Sequence, residues 1–137
     1  MSQNNQKDNP FSEFSDNLAK PVILFLNQLA EQKNYSELTV KNYQRQLYKL
    51  LTFLKDESIE KWVLVKPIHI RQFSAFNHRK GLSPKSIALI LSACRSFFDF
   101  LIFNDQLDFN PAKGIKAPKI AKNLPKTIAV DQVAALL

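Results

Sequence analysis

The chain has 137 residues, 45% of them hydrophobic and 11 of them Phe, which is enough for one domain with a buried core and too few for two full ones. Two glycines in the whole sequence argue against hairpin-rich β architectures and Gly-rich phosphate loops, leaving an all-α fold as the expectation. The net charge is +7, and the excess is local: residues 36–126 hold 16 Lys and Arg against 7 Asp and Glu, whereas residues 1–35 hold 3 against 4. Such a balance suits a polyanion, nucleic acid before membrane; a merely soluble basic surface is the alternative.

In chain order, residues 1–16 are rich in Asn, Gln, Ser and Asp and read as a disordered lead-in. Asp16 or Asn17 caps a first helix running to about Lys33, with Leu18, Val22, Phe25, Leu26 and Leu29 on one side and Pro21 in the first turn. Ser36 caps a second helix to about Lys55, with Val40, Tyr43, Leu47, Leu50, Leu51 and Leu54 inward. Its opposite face carries Lys41, Asn42, Arg45, Lys49 and Thr52, and the helix has four basic residues and no acid between Leu38 and Lys55. A solvated face usually mixes signs to gain pairs four residues apart, so this one-sided face suggests a negative partner, with plain solvation as the competing reading.

Asp56 to Glu60 turns the chain, and Trp62 to Val65 is an apolar run that periodicity leaves open between strand and extended packing segment. Pro67 starts a third helix with Ile68, Ile70, Phe73 and Phe76 inward, ended by the basic His78, Arg79 and Lys80 and by Gly81 in a left-handed exit. Ser83 as N-cap and Pro84 in the first turn open a fourth helix that runs unbroken to Phe103. At 100° per residue, Ile87, Ile90, Leu91, Cys94, Phe98, Leu101 and Ile102 form one stripe, flanked by Leu89, Ala93, Phe97 and Phe100. Only the arc of Lys85, Ser92, Arg95, Ser96 and Asp99 stays polar, which predicts a central helix with one thin strip facing out. Residues 110–126, NPAKGIKAPKIAKNLPK, hold three prolines, five lysines and no acid and read as an extended connector, after which residues 129–137 begin an amphipathic helix.

Chemistry-bearing clusters are scarce. His69 and His78 lack partners at metal-ligand spacing, and no GxSxG, P-loop or paired carboxylate is visible. Tyr35, Tyr43 and Tyr48 are available as nucleophiles in principle, but each suits packing at a helix face better. A single cysteine, Cys94, on the buried stripe fits a reducing compartment. With no apolar segment in residues 1–16 and no stretch read as a membrane span, a cytoplasmic protein with no cofactor and no membrane partner is expected.

The strings Thr39–Leu47 (TVKNYQRQL), Ile70–Phe73 (IRQF), Arg79–Ser86 (RKGLSPKS), Leu91–Phe98 (LSACRSFF), Asn110–Gly114 (NPAKG) and Ala117–Pro125 (APKIAKNLP), in that order, resemble the N-terminal core-binding domain of the bacterial tyrosine recombinases, of the phage integrase family. The resemblance implies an orthogonal bundle of four main helices, SAM-like, over residues 17–109. A basic interdomain linker would follow at 110–128, and 129–137 would begin the first helix of a catalytic domain otherwise missing. The family cuts and rejoins duplex DNA through a 3′-phosphotyrosyl intermediate with residues of that second domain, so no catalytic residue is assigned and the chain alone is expected to be inactive. It further implies a dif-type duplex site, a related second recombinase in a heterotetramer, and a role in chromosome dimer resolution. DNA is expected at Lys41, Asn42, Arg45, Gln46 and Lys49 on the second helix, at Lys85, Ser92, Arg95 and Ser96 on the fourth, and at Lys113, Lys116, Lys119 and Lys122 in the connector. Arg95 has an alternative, a pair with Asp99 one turn on. A protein-interaction module for recombinase assembly, with little DNA affinity of its own, is the second reading.

Overall fold

The computed structural model describes residues 10–32 and 34–118. Four helices account for most of them: α1 (Asp16–Ala30), α2 (Glu37–Asp56), α3 (Pro67–Arg79) and α4 (Pro84–Phe103), with a short 3₁₀ turn at Trp62–Leu64. No strand occurs among the described residues, so the fold is all-α. Expectations on residues 1–9 and 119–137, including the helix at 129–137, fall outside the described residues.

Helix α4 is central, packing against α1, α2 and α3, while α2 also packs on α1. Its starting signals act as read: Ser83 Oγ accepts from the Ser86 amide at 3.1 Å, with Pro84 in the first turn. Ser36 does the same for α2, accepting from the Thr39 amide at 3.1 Å. Helix α1 begins earlier, with Ser15 in the cap position, and stops at Ala30. Pro21 therefore lies in the second turn, not the first, where it cannot donate to the Asn17 carbonyl.

The apolar stripe of α4 holds: Ile87, Cys94, Phe97, Phe98 and Leu101 have no exposed surface. A knot of rings fills the centre. Trp62 meets Phe97 at 4.7 Å and Phe98 at 5.7 Å between centroids, and Phe25 meets Phe97 at 5.5 Å. The open question at Trp62–Val65 is settled as one 3₁₀ turn whose ends, Trp62 and Val65, point inward. Trp62 Nε1 donates to the Leu18 carbonyl at 3.1 Å, so the ring is buried without stranding its polar atom.

Three helices leave by the same hydrogen-bonded exit. At each, a residue with positive φ follows the cap: Ser58 (φ 61°) after α2, Gly81 (φ 97°) after α3 and Asp105 (φ 63°) after α4. The next amide reaches back to the carbonyl five residues earlier, Ile59 to Leu54 at 2.9 Å, Leu82 to Asn77 at 3.1 Å and Gln106 to Leu101 at 2.8 Å.

Several sequence expectations are corrected. Residues 10–16 are not a disordered lead-in: Phe11 and Phe14 are buried and pack on Tyr48 of α2, at 6.2 and 5.3 Å between centroids. The connector does not begin at residue 110 either, since Pro111, Ala112 and Ile115 are buried against the domain. Ile68 and Leu89, placed inward by the helical wheel, are 46% and 58% exposed, Leu89 at the edge of an open cleft that α2 borders without filling. Finally, α4 is 20 residues long and contains an 18-residue window of mean hydropathy 1.8, which by length and composition alone would allow a membrane crossing. Its apolar side is taken by α1, α2 and α3, so it is read as the core helix of this fold.

Candidate nucleic-acid interface

The polar faces of α2 and α4 meet along a cleft of about 380 Å³. From α2 come Thr39, Asn42, Tyr43, Arg45 and Gln46; from α4 come Leu89, Ser92 and Ala93. Four expected site residues, Asn42, Arg45, Gln46 and Ser92, are thus brought together by two helices that pack directly. Small residues on α4 at Ser92 and Ala93 leave room for the longer side chains of α2.

Within the cleft, Arg45 Nη1 donates to Asn42 Oδ1 at 2.9 Å, which holds the guanidinium along the helix. Gln46 Oε1 is withdrawn from solvent and has no hydrogen-bond partner among the described residues. An acceptor left in that state costs about 1–3 kcal/mol, so a donor entering the cleft would be engaged readily once the amide turns outward. Ser92 and Leu89 are exposed beside it.

The remaining expected residues surround this cleft. Lys41 lies on the far side of Arg45, lining a separate depression of about 290 Å³ with Pro10, Gln44, Arg45 and Tyr48. Lys49 is half-buried one turn beyond Gln46, and Lys85 is exposed in the first turn of α4. At 100° per residue, Lys85, Ser92 and Ser96 share one line along α4 within about 40°. Lys113 and Lys116 are exposed on the strap of residues 110–117, whereas Lys119 and Lys122 lie outside the described residues.

Arg95 is half-buried and reaches the strap. Its Nη1 donates to the Ile115 carbonyl at 3.3 Å, and Asp99 accepts from Asn110 Nδ2 at 2.9 Å, so the anticipated Arg95–Asp99 pair gives way to bonds with the strap. Sequence reasoning also missed Leu89 as a lining residue, having placed it in the core. The spacing 85, 89, 92, 96 carried the signal, since those positions share one helical line.

Nucleophilic chemistry is poorly served. Burial pushes the Cys94 thiol up to about 12 from 9.0, outweighing the opposing effect of the neighbouring Arg95 charge. Tyr48 donates to Glu13 Oε2 at 2.8 Å, and that bond raises its pKa above the ordinary value. Tyr35 and Tyr43 meet edge-on at 6.2 Å. His69 caps α3, its Nδ1 accepting from the Lys66 amide at 2.9 Å. Among the described residues no group of three or more His, Cys, Asp or Glu is placed to hold a metal ion.

Such a molecule is a small helical domain that turns a basic, hydrogen-bonding face outward. Over residues 22–104 the sequence matches the family described as phage integrase, N-terminal SAM-like domain, and the chain belongs to that family. It is 42% identical over 120 residues to tyrosine recombinase XerC of Salmonella typhi, covering 88% of this chain and 40% of that protein. It is equally similar, 42% over 116 residues, to tyrosine recombinase XerC of Shigella flexneri, covering 85% of this chain and 39% of that protein. The described helices are therefore an N-terminal domain of the XerC-like tyrosine recombinase kind, and the chain spans about 40% of the length of these curated relatives. No solved structure matches the chain.

Proposed function

We propose that this chain supplies the DNA-binding N-terminal part of a XerC-like site-specific recombinase. It would seat α2 and α4 on a dif-type duplex in the cytoplasm, act with a XerD-like partner in a heterotetramer, and serve chromosome dimer resolution. The observation that carries the reading is the convergence of Asn42, Arg45, Gln46 and Ser92 on one cleft, between helices whose outward faces bear Lys41, Lys49 and Lys85. Lys and Arg would hold phosphates, and the amides of Asn42 and Gln46 match the paired donor and acceptor of adenine in the major groove. Cleavage and rejoining are assigned to residues of a catalytic domain, as the resemblance implies.

The test is the affinity of this chain for a duplex carrying a dif-type site and for a scrambled duplex, across a series of salt concentrations. Steep salt dependence with preference for the site is expected, and Lys49→Ala and Lys85→Ala should each lower the salt slope by about 1. Gln46→Ala should reduce the preference more than the slope. Modest affinity is expected from one half of a clamp, because joining the halves raises effective concentration. Absence of salt-dependent binding sinks the proposal and favours the interaction-module reading, in which self-association or partner binding persists at high salt.

A further inference from the structure

We propose that Asn110 is a positioning residue that clasps the strap of residues 110–117 to the edge of the α4 polar strip, so that Lys113 and Lys116 complete a DNA surface already formed by α2 and α4. The proposal rests on the DNA-binding reading above and deepens it.

The clasp uses nearly all the hydrogen-bonding capacity of one side chain. Asn110 Nδ2 donates to the Arg95 carbonyl at 3.0 Å and to Asp99 Oδ1 at 2.9 Å, while Oδ1 accepts from the Ala112 amide at 2.9 Å. Two turns then shape the strap, with the Lys113 amide bonded to the Asn110 carbonyl and the Ile115 amide to the Ala112 carbonyl, both at 3.2 Å. Arg95 closes the far end through its 3.3 Å bond to the Ile115 carbonyl. Buried Pro111, Ala112 and Ile115 fasten the same segment from below. Pro111 also narrows the backbone choices of Asn110 itself.

Position makes the clasp more than a fold contact. On the α4 wheel, Leu89 and Ala93 face the cleft with α2, Lys85, Ser92 and Ser96 form the middle, and Asp99 and Arg95 form the opposite edge. The strap is bonded to that edge, so the strip has α2 on one side and Lys113 and Lys116, both exposed, on the other. Asp99 is the one acidic residue on the strip and would repel a phosphate backbone. Its bond to the Asn110 amide gives that carboxylate a fixed partner and direction. Lysines held in place lose less freedom on binding than lysines on a loose tether, so the clasp favours association without touching DNA.

Asparagine suits this position because the clasp needs a donor and an acceptor on one short side chain. Asn110→Asp keeps the bond to the Ala112 amide, loses the donor and sets a second carboxylate against Asp99; Asn110→Ala loses both. In the unaltered chain the amides of Ala112 and Ile115 should be protected from hydrogen exchange. Asn110→Ala should release both, and Asn110→Asp should release the Ile115 amide while keeping that of Ala112; the α2 and α4 amides should stay protected in each. DNA affinity at moderate salt should fall about threefold to tenfold in each variant. Lys113→Ala with Lys116→Ala should lower the salt slope by about 2, and Asn110→Ala added to that pair should change affinity by less than about twofold.

Unprotected Ala112 and Ile115 amides in the unaltered chain would overturn the proposal. So would an affinity loss from Asn110→Ala that is equal with and without the two lysines, which is the signature of a purely structural role. Failure of the DNA reading is recognised separately, as absence of salt-dependent binding by the unaltered chain before any substitution is made.

Discussion

Cys94 sits fully buried between the neighbours of α4, and its thiol is held protonated up to about 12. The consequence has a definite sign. Above about pH 9 the unfolded chain releases this proton while the folded chain keeps it, so stability present below pH 9 is lost as pH rises toward 12. Denaturant midpoints measured from pH 7 to pH 11 should fall more steeply for the unaltered chain than for Cys94→Ala; parallel curves would contradict the burial. The burial of Cys94 was legible from its place on the apolar stripe, and so was the polar strip at Lys85, Ser92 and Ser96. The exposure of Ile68 and Leu89 was not, because a wheel gives the angle of a side chain and says nothing about whether a neighbour stands opposite it.

At the scale of the element, helix starts were easier to read than helix exits. Ser36 and Ser83 announce themselves because an N-cap needs one short side chain with an oxygen. Gly81 likewise marks the exit of α3, but Ser58 and Asp105 adopt the same left-handed backbone without a glycine, held there by the back-reaching amides of Ile59 and Gln106. Since nothing lies within 4 Å of a Cβ built on Gly81, Gly81→Ala should destabilise through backbone strain alone, by about 1 kcal/mol. Asp105→Gly should do the reverse, gaining up to about 1 kcal/mol, provided the flexible unfolded chain does not offset it. Urea titrations of the two variants decide the matter: a neutral Gly81→Ala would remove the strain argument.

At the scale of the described molecule, the segments that flank the helical region, residues 10–15 and 110–117, pack onto it. The N-terminal flank packs Phe11 and Phe14 on Tyr48, reinforced by the Glu13–Tyr48 bond and by Lys55 Nζ 5.8 Å from the Phe14 ring. Phe14→Ala should therefore cost about 3–5 kcal/mol, a large part of the 5–15 kcal/mol typical of a domain. An unchanged melting temperature would restore the disordered lead-in that the polar composition suggested. Composition misled there because two aromatic anchors among Asn, Gln and Ser hardly move an average, yet each buries a full ring. The C-terminal flank shows the same effect, where Ala112 and Ile115 are buried in a run of prolines and lysines that reads as free connector. The four helices of the described residues, the centrality of α4, the basic character of the outward faces and the family could all be read from the sequence, because periodicity, capping and charge are local properties written residue by residue. It took the packed fold to reveal that Asn42, Arg45, Gln46 and Ser92 share a cleft, that Arg95 bonds to the strap, and that residues 11–14 and 111–115 close on the core. Those facts depend on which helices meet and at what positions, and contacts between residues distant in the chain leave no period in the sequence.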